Sequence, residues 1–268
     1  MPDLPRLADD HIDSVISAVS RLSPRWTAWT LQTIQQRGSM RLADINSALP
    51  WVGVQAMAQV VRRMQTSGLL ERPQFGIYSL TPLGRNAQAV HRALADWHRT
   101  QIVSNAPTLA RAERTEDALG RLRGKGAIEV LHALAQHGPL SNGELRTAAG
   151  LATGSFHYRV HQLQTDQLIT RIGPFTGRGA NYTLTPAARA LAPVYPELSD
   201  FARKSNVIAG TDEVQHAAAA EHAATAVRAS AATQRSTMAS PGLFSHAPAP
   251  QPRVPAHVAA LSHPSRIR

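Results

Sequence analysis

The chain has 268 residues, 43% of them hydrophobic, with 28 lysines and arginines against 18 acids, a formal charge of +10 and no cysteine. Without thiols there are no disulfide scaffolds, thiolate zinc sites or thiol redox switches. The length allows one large domain or two small ones, and the basic balance suits a polyanionic partner.

The charge is spread along the chain: 21 basic and 15 acidic side chains fall in residues 1–200, and 7 and 3 beyond. Only Lys125 and Lys204 are lysines, so a genome rich in arginine codons is the plain alternative source of the charge. The opening "MPDLPRLADDHID" carries acids and prolines where a signal peptide needs an apolar run. No later stretch reaches about 18 consecutive apolar residues, so a soluble cytoplasmic protein without a membrane partner is expected.

In chain order, Ile12, Val15, Ile16 and Val19 repeat at helical spacing and predict a helix over 11–22 that ends before Pro24. A second, 26–37, carries Trp26 and Trp29 and stops at Gly38. A short helix over 41–48 ends at Pro50, and a third full helix over 54–67 is closed by Gly68. The phrases "LLERP" and "GIYSL" then predict a two-stranded hairpin, and Val90, Leu94 and Trp97 form the stripe of a long helix over 82–103.

The same order recurs. "RRMQTSGLLER" (62–72) returns as "HQLQTDQLITR" (161–171), inside a second run of helices over 115–123, 126–138, 141–150 and 153–167 and a hairpin of "LITRIG" and "NYTLT". The offset stays near 99 residues up to the hairpin, whose second loop is five residues longer. A repeat this long implies duplication. The expected fold is therefore mainly α with small β-hairpin wings. Two tandem winged-helix domains, 11–103 and 112–200, are joined through the long helix and followed by a 203–268 tail too poor in large apolar residues to build a core. That tail is expected to be disordered, with a marginal helix allowed up to about 233.

Three helices and a hairpin is the winged-helix arrangement, in which the third helix enters the major groove. The first copy resembles the HxlR-type winged-helix regulators of bacteria through Trp26, the "ALP" at 48–50, the helix ending in "SGLL" and the "YSLTPLGR" phrase. The second is similar at "ALGRLRGKGAIEVLHALAQHGPLSNGEL" and "YTLTPAAR", while its third helix "TGSFHYRVHQL" is closer to ArsR- and MarR-like proteins. Gly126 stands where the family usually has Trp. The resemblance implies double-stranded DNA as partner and regulation of transcription. Single-copy members pair into homodimers; here the two copies are expected to form an intrachain pseudo-dimer, with a homodimer left open.

At 100° per residue, Met57, Val60, Val61 and Met64 face inward on the first recognition helix, leaving Gln55, Gln59, Arg62 and Thr66 opposite and Arg63 at the flank. In the second, Phe156, Val160 and Leu163 face in, and Tyr158, His161, Gln162 and Thr165 face out beside Ser155 and Arg159. Gln reads adenine, Arg reads guanine or phosphate, and Tyr, Ser and His suit phosphate; a merely solvated face is the bland alternative. Arg72, Arg171 and Arg178 are the wing candidates for backbone or minor-groove contacts. His157 and His161, like His91 and His98, read as DNA-facing or solvated imidazoles rather than metal ligands. No cofactor site, phosphate-cradling loop or nucleophile motif is present, so no enzyme is expected. A small-molecule effector pocket between the helices stays open, and the competing function is a protein scaffold or a nucleoid protein of little sequence specificity.

Overall fold

The computed structural model describes residues 9–73, 76–102, 109–173 and 181–207. Arg178 and residues 208–268 of the expected tail lie outside them; 203–207, expected to open that tail, instead end a helix that begins at 194. The first half runs α1 (Asp9–Leu22), α2 (Thr27–Arg37), β1 (Met40–Arg41), α3 (Leu42–Ala48), a 3-10 turn (Pro50–Val52), α4 (Val54–Thr66), β2 (Leu70–Glu71), β3 (Ile77–Leu80) and α5 (Pro82–Gln101). The second half repeats the order with α6 (Arg111–Leu122), α7 (Ala127–His137), β4 (Leu140–Ser141), α8 (Asn142–Ala148), α9 (Thr153–Thr165), β5 (Ile169–Ile172), β6 (Asn181–Leu184) and α10 (Pro186–Arg189). A further helix, α11, covers 194–207.

Each expected two-stranded hairpin is instead a three-stranded antiparallel sheet, in the orders β1-β3-β2 and β4-β6-β5. The additional strands are two residues long, pairing Met40 with Tyr78 in one sheet and Leu140 with Tyr182 in the other. Two residues carry no alternation for a sequence to display, and the strand exists because β3 or β6 offers its free edge.

Local chemistry sets the boundaries. Ser141 and Glu144 form a capping box at the start of α8: the Ser141 amide donates to Glu144 Oε2 (2.9 Å), and Glu144 N donates to Ser141 Oγ (3.4 Å). These bonds hold the Glu144 carboxyl below its ordinary range. Thr81 and Thr185 cap α5 and α10 alike, each accepting from the amide three residues on, ahead of a proline at the first helical position. α5 then continues for 20 residues, whereas α10 stops after one turn. Pro193 accounts for the difference, because it has no amide to give and disfavours helix in the residue before it; the chain turns at 190–193 and restarts as α11.

One continuous apolar core joins the halves. α1 packs on α7, α6 packs on α2, and α5 lies along α6, so the first helix of each half completes the other half. Polar bonds cross the same junction: Trp97 Nε1 donates to Ala187 O (2.9 Å) and Thr115 Oγ1 to His91 O (3.2 Å), while within the second half Arg121 donates to Asp166 O (3.0 Å). Arg21 on α1 likewise bonds Ser205 on α11. His91 and His98, expected at a solvated or DNA-facing surface, are buried in this seam at 2% and 3% exposure. They sit there because α6 covers that face of α5, and His98 Nε2 meets Asp117 Oδ2 at 2.9 Å. Burial lowers the pKa of His98 more than Asp117 raises it.

Residue 26 closes α2 at its start in the left-handed region, at φ 71°, and residue 126 does the same for α7 at φ 90°. Glycine adopts that conformation without strain, tryptophan does not. Gly126 is also confined by space, since a Cβ there would lie 2.6 Å from Leu151 Cδ1. Trp26 thus begins no helix, and α2 starts one residue later than its sequence predicts.

Candidate nucleic-acid interface

α4 and α9 present matching faces. In α4, Met57, Val60, Val61 and Met64 are buried; cutting one of these methionines to alanine removes roughly 2–5 kcal/mol of packing. Gln55, Gln59, Arg62, Arg63 and Thr66 are exposed. In α9, Phe156, Val160 and Leu163 are buried, while Ser155, His157, Tyr158, His161 and Thr165 are exposed. Neither helix contains an acidic residue, so nothing on either face repels a phosphate backbone.

The exposed side chains are not equivalent. Arg62 has no partner among the described residues, and its guanidinium stands free at the surface. Arg63 turns back instead: its Nη2 donates to Arg25 O (2.9 Å) and Thr27 Oγ1 (3.3 Å), fastening α4 to the start of α2. Burial lowers its pKa, against the attraction of Glu116. Arg159 does the same in the second half, donating to Lys125 O (3.1 Å) and Arg123 O (3.3 Å). Gly124 lies beneath it at φ 103°, where a Cβ would fall 2.3 Å from Arg159 Nη2 and push the guanidinium aside. Gln162 is half-buried and donates to Asp166 Oδ2 (3.0 Å), and Ser155 Oγ donates to Ala152 O (3.0 Å). Tyr158, 67% exposed, carries the Arg159 guanidinium over its ring at 5.8 Å. Arg72 follows β2 and stacks over Tyr78 at 5.8 Å, and Arg171 is exposed on β5 opposite Tyr182.

Two features went unread in the sequence. Trp51, 57% exposed, meets Trp29 edge-on at 5.4 Å, and beside it Val54 is 64% exposed in the first turn of α4. An apolar pair at the leading end of this helix was visible only as "WVG" in a turn. The second is Glu116 on α6, whose carboxyl faces the Trp26, Ala28 and Trp29 amides at the start of α2. Burial raises its pKa to about 7, while those amides and Arg25 pull the other way. Its Oε1 is enclosed without a hydrogen-bond partner. Only the packing of α6 on α2 puts an acid there, and no spacing in the chain announces it.

In the first half, the two-helix element of α3 and α4 is followed by a small three-stranded sheet. Residues 21–106 match the HxlR-like helix-turn-helix. An uncharacterized HTH-type transcriptional regulator of Methanothermobacter thermautotrophicus is similar, 27% identical over 95 residues that span 33% of this chain and 72% of that protein. No solved structure matches the chain. The HxlR-like region runs from the end of α1 through α5, and its match supports DNA binding and transcription regulation. α6 to α11 lie beyond it. Among the described residues no helix is long and apolar enough to cross a membrane, and no group of three His or acidic side chains could hold a metal ion.

Proposed function

We propose that the chain is a sequence-specific, DNA-binding transcriptional regulator of the cytoplasm and nucleoid, in which two non-identical winged helices within 11–103 and 112–200 act as an intrachain pseudo-dimer. The observation that carries it is the HxlR-like match over 21–106 together with the acid-free, solvent-facing side of α4. The exchange of α1 and α6 between the halves supports the pseudo-dimer, since each half borrows its first helix from the other, as subunits of a dimer would. Gln55, Gln59 and Arg62 then read one half-site, and Tyr158 and His161 the other, with Arg72 and Arg171 on flanking phosphates. Arg63, Arg159 and Gln162 act one step back, by holding the reading helices in place. Because the two faces differ, the preferred duplex has two unlike half-sites. Selection from random duplexes tests this: unlike half-sites are expected, and a perfect palindrome would instead assign one winged helix to each half-site of a homodimer.

A further inference from the structure

Arg25 stands two residues ahead of α2 and Lys125 two residues ahead of α7, so each half places an exposed cation at the same point of its fold. At that point the loop is fastened to the flank of the recognition helix. Arg63 of α4 donates to Arg25 O (2.9 Å), and Arg159 of α9 donates to Lys125 O (3.1 Å) and Arg123 O (3.3 Å). The two latches start from unlike positions, since the starts of α4 and α9 at Val54 and Thr153 set Arg63 against Gln162 and Arg159 against Val60. What the halves share is the result: a basic loop held beside the reading face. The latches use only the carbonyls of residues 25, 123 and 125 and leave the cationic head groups unspent. The Arg25 guanidinium lies over the Trp26 ring at 4.5 Å, a contact that keeps its charge. Arg123 and Lys125 are exposed and make no ion pair among the described residues, Glu129 on the first turn of α7 included.

The place of the loop selects its partner. An α-helix with its side chains is about 10–12 Å across and fills a major groove about 12 Å wide. Whatever is fastened along its flank therefore meets the sugar-phosphate rims of the groove, where a cation neutralises phosphate and reads no base. We propose that Arg25 in the first half, and Arg123 and Lys125 in the second, are phosphate anchors on the rims of the grooves that α4 and α9 enter, with Arg63 and Arg159 as the positioning residues that hold them there. The anchors also level the two halves. α4 keeps one unlatched arginine, Arg62, whereas the single arginine of α9 is the latch Arg159. Wings aside, each half then brings two cations to the duplex: Arg62 with Arg25, and Arg123 with Lys125. The inference rests on the DNA-binding reading and adds to it contacts that are blind to sequence.

Fluorescence anisotropy of the full-length protein on a random-sequence duplex of roughly 30 base pairs, about three helical turns, is the test, because phosphate contacts need no operator. Arg25→Gln and Lys125→Gln are each expected to lower the slope of log K against log salt by about 0.9, and Arg123→Gln combined with Lys125→Gln by about 1.8. Lys125→Arg should keep the wild-type slope. All of these variants should melt with the wild type, since the carbonyls that the latches use remain. Lys204→Gln on α11 removes the other lysine of the chain and is expected to leave the slope unchanged. Unmoved slopes in Arg25→Gln and Lys125→Gln on a duplex that the wild type binds, or an equal fall in Lys204→Gln, would overturn the proposal. A wild type that binds no duplex at low salt would overturn the DNA-binding reading itself, and the anchors with it.

Discussion

Replacing Glu116 by glutamine probes the seam between the halves through pH. The carboxyl has its pKa raised from 4.5 to about 7, chiefly by burial against the start of α2. An unfolded chain ionises this group above its ordinary value, while the folded chain keeps the proton until near pH 7. Below about pH 4.5 the group is neutral in both states and costs nothing. As pH rises from there to 7 the folded state loses stability relative to the unfolded one, and beyond 7 the full loss is in place. The pKa difference corresponds to at most about 3 kcal/mol, which solvent screening of a half-buried side chain reduces to roughly 1–2 kcal/mol. Glutamine keeps the shape and cannot ionise. Glu116→Gln is therefore expected to melt with the wild type at pH 5 and roughly 3–6 °C above it at pH 8.5, for a folded body near 200 residues. Thermal melts followed by circular dichroism at the two pH values are sufficient. A variant that melts below the wild type at pH 8.5, or differs equally at both values, would refute the packing of α6 onto α2 as the source of the shift.

The two neighbouring arginines of α4 should separate by phenotype. Arg62→Ala is expected to weaken DNA binding and lower the slope of log K against log salt by about 0.9, as for one lost phosphate contact, with little change in melting temperature; Arg63→Ala should lower the melting temperature through its lost bonds to Arg25 and Thr27. Equal salt slopes for both variants in fluorescence anisotropy would contradict this assignment. The exposed Val54 and Trp51 suit a thymine methyl group, so deoxyuridine in the first half-site should reduce affinity for the wild type, on the order of 1 kcal/mol, and have no effect on Val54→Ser. An equal loss in both proteins would remove Val54 from the reading. Gly126→Ala should destabilise the second half by about 2 kcal/mol or more, because the new Cβ meets both a left-handed backbone and Leu151; a denaturation midpoint equal to that of the wild type would show that Leu151 moves aside freely.

The inward faces of α4 and α9 were legible in the sequence, because Met57, Val60, Val61 and Met64, and Phe156, Val160 and Leu163, repeat at the helical period and nothing in the tertiary structure overrides it. The order of elements was legible twice over for the same reason. β1 and β4 were not, being two residues long and made by their partner strand. The break between α10 and α11 falls at Pro193, which has no amide with which to continue a helix. The roles of Arg63 and Arg159 depend on loop carbonyls that approach only after folding, and the position of Glu116 depends on which half α6 chooses. Outward-facing arginines look alike in a helical projection; the hydrogen bonds that distinguish them belong to the assembled structure.

The intrachain pairing of two reading helices is tested most directly by the stoichiometry of the complex. Native mass spectrometry of the protein with its selected duplex should give one chain per duplex at saturation, with both half-sites protected in a parallel footprint. Two chains on one duplex, each protecting the same half-site sequence, would contradict the account.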